Sequence, residues 1–119
     1  MISATACSIS APTVVCTDQI VPGIVIKVQN AATGAPVTDS ADVQVTDGSY
    51  VETYRYLGPP NQQLTGTITA AGERAGTYGI SVRKIGFAPY DTAGVRVTKD
   101  VCHVHTVTVV ASLQPIPSG

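Results

Sequence analysis

The stretch from Val95 to Leu113, "VRVTKDVCHVHTVTVVASL", constrains the fold more than any other. It combines a dense β-branched run with both histidines and one of the three cysteines. β-Branched side chains lose freedom in a helix and fit a pleated surface, so the run reads as strand. The polar triplet Thr98-Lys99-Asp100 reads as a turn, and the stretch is expected to be a hairpin of two long strands. Such a hairpin must bury one face against other strands, which the upstream chain has to supply.

The composition agrees. Seventeen Val and fifteen Thr stand against one Phe, one Met and no Trp, and no long window shows a 3.6-residue period. A chain of 119 residues fits one domain with one core. The seven Lys and Arg are scattered and the formal net charge is −1, which argues against nucleic acid and anionic membrane surfaces as partners. No apolar run reaches the length of a transmembrane segment.

In chain order, residues 1–15 read as a flexible N-terminal tether, residues 16–113 as the folded domain and residues 114–119 as a C-terminal tail. Ile24 to Asn30, "IVIKVQN", alternates with Ile24, Ile26 and Val28 on one face, the pattern of a half-buried strand. "AATGAP" is its turn. Val43 and Val45 mark a second strand, and Asp47-Gly48 signals a hairpin into a third, "SYVETYRYL", in which Tyr50, Glu52, Tyr54 and Tyr56 share a face. Gly58 to Asn61 ends that strand, and Leu64 to Ala70 reads as a weaker one. "TYGISVRK" alternates around Tyr78, Ile80 and Val82, and "IGFAPYDTAG" reads as the loop into the terminal hairpin. Seven short strands with regular turn signals predict an all-β, seven-stranded antiparallel β-sandwich.

Three cysteines allow three single pairings, with three reduced thiols as the alternative. Cys16 with Cys102 is preferred, because it joins the entry of the first strand to the last. It would close a loop of 86 residues, for which chain entropy gives ~4–5 kcal/mol. Cys7 is then the odd one. The small residues Ala4, Thr5 and Ala6 before it look like the tail of a secretory signal, making Cys7 a candidate lipid anchor and the expected location extracytoplasmic.

The segments "PGIVIKVQNAATGAPV", "AGTYGISVRKIGFAPY" and "VRVTKDVCHVHTVTV" resemble the carboxypeptidase regulatory-like domain family, whose fold is the transthyretin-like (prealbumin-like) Greek-key sandwich. The matching elements are Thr33-Gly34-Ala35-Pro36, Gly76-Thr77-Tyr78 and Gly86-Phe87, and the closing "CHVHTVTV" is similar to the ending of small bacterial lipoproteins that carry this domain. The resemblance spans about residues 16–113. It implies a non-catalytic module on a secreted or lipid-anchored protein, with an unknown protein or cell-surface partner and no cofactor. Transthyretin-related hydroxyisourate hydrolases share the sandwich but look for a Tyr-Arg-Gly-Ser ending. The pair Tyr54-Arg55 lies instead within a predicted strand.

Four groups carry chemistry. His103 and His105, two apart on a predicted strand, can offer imidazoles to a metal but need a third ligand, and hydrogen-bonded histidines are the plainer reading. Their parity with Val107, Val109, Ala111 and Leu113 would place them on the core face unless a bulge resets the register. Tyr50, Tyr54 and Tyr56 can form an aromatic face for a sugar ring, or can serve a core short of large side chains. Asp39, Asp42 and Asp47 can supply oxygens to calcium but fit no EF-hand-like loop, and solvated turn aspartates and Asx caps are the plainer reading. Glu73 and Arg74 can each form a loop ion pair, with a partner or with each other's neighbours. No Gly-x-Ser-x-Gly elbow or glycine-rich phosphate loop is present, so the chain is expected not to be an enzyme.

Overall fold

A computed structural model describes residue 16 and residues 19–55 and 67–116. Cys7, Tyr56 and the proposed tether 1–15 lie outside the described residues. The structure contains seven strands: β1 (Ile24–Asn30), β2 (Asp42–Asp47), β3 (Tyr50–Arg55), β4 (Thr67–Ala70), β5 (Gly76–Arg83), β6 (Tyr90–Val97) and β7 (Val107–Leu113). They form a three-stranded sheet in the order β4-β1-β7 and a four-stranded sheet in the order β3-β2-β5-β6.

The core lies between the two sheets because alternation puts one apolar row of each strand inward. Ile24, Ile26 and Val28 of β1 are fully buried, as are Val43 and Val45 of β2 and Tyr78, Ile80 and Val82 of β5. Ala111 and Leu113 of β7 close it from the three-stranded side. Tyr78 is the largest buried side chain, and its hydroxyl donates to the carbonyl of Arg74 at 2.7 Å. That bond resembles a tyrosine corner, in which a buried ring is pinned to backbone a few residues upstream.

The β2–β3 hairpin forms where Asp47-Gly48 predicts it. Asp47 pairs with Tyr50 across a two-residue turn, and Gly48 takes φ +62°, which a side chain would strain.

The terminal hairpin does not form. β6 pairs with β5 in one sheet and β7 pairs with β1 in the other, so the Val95–Leu113 stretch spans both layers. The polar turn is present: Asp100 N–H donates to the carbonyl of His103 at 3.0 Å, and His105 N–H donates to that of Thr98 at 2.8 Å. It belongs to a crossing between sheets. β6 also begins earlier than expected, taking up Tyr90 to Gly94 of the predicted loop. A register shift between Tyr78 and Ile80 of β5, with Gly94 at φ +73°, breaks the alternation that would have marked this strand.

The sandwich is not wholly antiparallel either, since β1 and β7 run parallel from Ile24↔Val107 to Asn30↔Leu113. The cause is local to their starts. Val107 N–H donates to the carbonyl of Gly23 at 2.8 Å, and the Thr106 hydroxyl donates to that of Pro22 at 2.7 Å. Both strands therefore set out from the same end of the molecule. At the opposite end, residues 114–116 continue past β7 and bond to the 86–88 loop: Ala88 N–H reaches Gln114 O at 2.8 Å and Ile116 N–H reaches Gly86 O at 2.9 Å.

Candidate functional site

The chemically active side chains gather in three places. The first is the inward face of β3, where residues two apart point the same way. Tyr50 and Tyr54 both donate their hydroxyls to the carboxylate of Glu52, which lies between them. Glu52 also accepts the backbone N–H of Ala71 at 2.9 Å, tying the edge of one sheet to the end of β4 in the other. The Arg74 guanidinium sits 3.8 Å from the Tyr50 ring centroid, donates to the Tyr78 hydroxyl at 3.0 Å and pairs with Asp47 at 2.9 Å. The Tyr50 and Tyr78 rings meet edge to face with centroids 6.3 Å apart.

The electrostatics follow from this packing. Burial works to raise the Glu52 carboxyl, but the two phenols and the Ala71 amide outweigh it and hold the group below its ordinary value. The Glu52 carboxylate, then burial, pushes Tyr50 up to about 12. Burial and then Glu52 raise Tyr54 as well. Tyr50, Glu52 and Tyr54 are half-buried and directed inward, and both hydroxyls are committed to one carboxylate. In the described part of the tyrosine face both phenols are hydrogen-bonded to Glu52, and Tyr56 lies outside the described residues.

The second place is the crossing from Thr98 to Thr106, which is held from three directions. Cys16 and Cys102 form the expected disulfide, with Cα atoms 5.2 Å apart. Asp100 accepts the N–H groups of Cys102 and His103 at 2.8 and 3.0 Å, and those two bonds bring its carboxyl to about 2. Glu73 reaches in from the turn after β4. It takes the His103 Nδ1 at 2.5 Å and the amides of Val21 and Val104 at 2.9 and 3.4 Å. The Val21 amide, and after it His103, lower the Glu73 carboxyl against the opposing effect of burial. Glu73 holds φ +52°, a left-handed conformation uncommon in a residue with a side chain.

The two histidines part company here. His103 is three-quarters buried against Glu73, whereas His105 is exposed and lies against Thr98 and Asp100. Neither residue belongs to β7, which starts at Val107, so the parity conflict seen in the sequence disappears. Among the described residues no group of three or more His, Cys, Asp or Glu side chains is arranged to hold a metal ion. The aspartates read as calcium candidates also diverge. Asp42 pairs with Arg55 and Asp47 with Arg74, while Asp39 offers its backbone carbonyl to Lys84.

The third place is the outer face of the four-stranded sheet. Asp42 of β2 lies directly across from Arg55 of β3 on one side and Arg83 of β5 on the other. Arg83 in turn donates to both carboxylate oxygens of Asp91 on β6, at 3.1 and 3.2 Å. Beside this row is a shallow depression of about 360 Å³ floored by Gln44, Thr53 and Ser81.

Sequence reasoning brought Tyr50 and Tyr54 together correctly and paired the right cysteines. It gave no role to Glu52, although the i±2 parity with both tyrosines was visible. It paired Glu73 and Arg74 with unnamed neighbours, and only the fold identifies them as His103 and Asp47.

No protein-family model matches the chain, and no curated protein matches it.

Proposed function

We propose that this chain is a non-catalytic, extracytoplasmic β-sandwich module of the carboxypeptidase regulatory-like, transthyretin-like type, with a structural or protein-interaction role. It is secreted or held at a membrane through Cys7. The observation that supports this reading is the Cys16–Cys102 bond, which links segments 86 residues apart and is of the kind that forms and persists in oxidising compartments. Support for the fold type comes from the quoted motifs: Gly34 at φ +77° and Gly86 at φ +92° in turns, with Tyr78 in the core. The non-catalytic reading draws on how the reactive groups are used. The carboxylates of Glu52 and Glu73 each accept several bonds that join segments of the fold, and the phenols and His103 are among the donors.

The test is intact mass and peptide mapping of protein expressed with its native leader and purified without reductant. A Cys16–Cys102 peptide and a diacylglycerol-sized mass on Cys7 are expected. Three free thiols in protein from its own host would overturn the compartment. An unmodified Cys7 would leave secretion without the anchor.

A further inference from the structure

The outer face of the four-stranded sheet carries an ordered charge pattern. Read across the strands in the order β3, β2, β5, β6, Arg55, Asp42 and Arg83 stand at one level, and Asp91 stands two residues further along, opposite Ser81 but bonded by the Arg83 side chain. All four side chains are at least half exposed. The signs alternate, and a row of even length that alternates becomes its own complement when reversed. A two-fold axis parallel to the strands, lying between β2 and β5, produces that reversal. It lays β3 over β6 of a second copy and β2 over β5. Asp42 then faces Arg83 directly, Arg55 is offset from Asp91 by two residues along the strands, the same offset that the Arg83 side chain spans to Asp91 within one copy, and each pairing occurs twice, as an isologous contact requires.

We propose that this face is a self-association surface whose partner is a second copy of the same chain. Three further observations support that occupant. Next to these charges the outward side chains Gln44, Thr53 and Ser81 are uncharged and floor a depression, leaving room for the partner's arginine side chains. Val51, an apolar side chain 51% exposed on β3, comes over the region of exposed Ala93 on β6 of the partner. The formal net charge of −1 leaves almost no overall repulsion between copies. A polyanion would meet as many carboxylates as guanidiniums along the row, so it fits the pattern poorly.

The strength follows from size. Four strands about 4.8 Å apart and six residues long at about 3.3 Å each give a footprint of ~400 Å² on each copy. That is below a standard interface, so the dimer is weak, reversible and sensitive to salt. The contact uses neither the disulfide nor Cys7, so it stands or falls independently of the function proposed above.

The experiment uses two charge-reversed proteins. Arg55→Asp with Arg83→Asp makes the row wholly acidic, and Asp42→Arg with Asp91→Arg makes it wholly basic. Sedimentation velocity at low salt is expected to show each alone as a monomer and the equimolar mixture as a 1:1 dimer. The mixture should associate at least about tenfold more tightly than wild type, with the gain lost in about 0.5 M NaCl. Amide shifts of ¹⁵N-labelled acidic protein titrated with the basic one should centre on Gln44, Thr53, Ser81 and Asp91. A mixture that stays monomeric, or shifts centred on the other sheet or on strand edges, overturns the proposal. Should either variant fail to fold, wild type decides: a protein still monomeric near 1 mM at low salt also overturns it.

Discussion

The β2–β3 hairpin and the Thr98–Thr106 crossing are two turns of similar polar composition with opposite origins. The hairpin is closed by its own residues: Asp47 and Tyr50 pair directly, and Gly48 supplies the positive φ that a two-residue turn demands. The crossing has a small turn of its own at Asp100, but its position is set from outside by Cys16, by Glu73 and by the strand start at Pro22-Gly23. A turn that satisfies its own backbone can be read from a few adjacent residues. A turn held by distant groups cannot, because the groups that decide it are dozens of residues away.

The comparison breaks first at the disulfide. Cys16→Ser with Cys102→Ser should lower unfolding free energy by about 4–5 kcal/mol if the bond acts through the entropy of an 86-residue loop. Urea unfolding of the two proteins measures it. A loss under about 1 kcal/mol would mean that Glu73 and the strand start hold the crossing without the bond.

Next is Glu52→Gln, which tests whether the hairpin has a long-range anchor of its own through Ala71. Replacing a half-buried carboxylate that accepts three bonds should cost about 2 kcal/mol. It should also bring the Tyr50 phenol down from about 12. The sign is that of a raised group: the Tyr50 contribution is full below about pH 10, the ordinary phenol value, and fades as pH rises towards about 12. Phenolate absorbance against pH reads the shift directly. An unchanged titration would separate Tyr50 from Glu52.

Gly48→Ala tests the local side. The strain at φ +62° should cost about 1 kcal/mol, with hydrogen-exchange protection lost in β2 and β3 and retained around Val104 and Val107. Loss spreading equally to the crossing would make the two turns one cooperative unit.

The smallest effect is at Asp100. Asp100→Asn keeps the side-chain oxygen that accepts the Cys102 and His103 amides but removes the charge. The Asp100 carboxyl is depressed to about 2, so its contribution is present above the ordinary aspartate value near pH 4 and is lost as pH falls towards 2. The stability gap between wild type and variant should be constant above about pH 4 and close towards about pH 2, as followed by urea midpoints. A gap that stays constant down to that pH would show that the amide bonds matter and the charge does not.

Much of the sandwich was legible. β1 runs from Ile24 to Asn30 as its alternation predicts, and Tyr78, Ile80 and Val82 are inward as expected. Those strands alternate cleanly because one face of each is buried and the other wet. β6 was less legible, because its register shift against β5 and its left-handed Gly94 interrupt the period. In the candidate site the tyrosine parity was readable, but the consumption of both hydroxyls by Glu52 depends on how far each ring is turned inward.

The sequence by itself determined an all-β chain, the position of β1, the inward rows of β2 and β5 and the Asp47-Gly48 turn, because alternation and turn chemistry act between residues close in the chain. Only the tertiary structure decided that β6 and β7 belong to different sheets and that β7 runs beside β1 in the same direction. It also decided that His103 answers to Glu73 and that Arg55, Asp42 and Arg83 line up across three strands, with Asp91 bonded to Arg83 from the fourth. Strand pairing joins residues far apart in sequence, and a β-branched run with one apolar face satisfies either sheet equally well until the whole core closes.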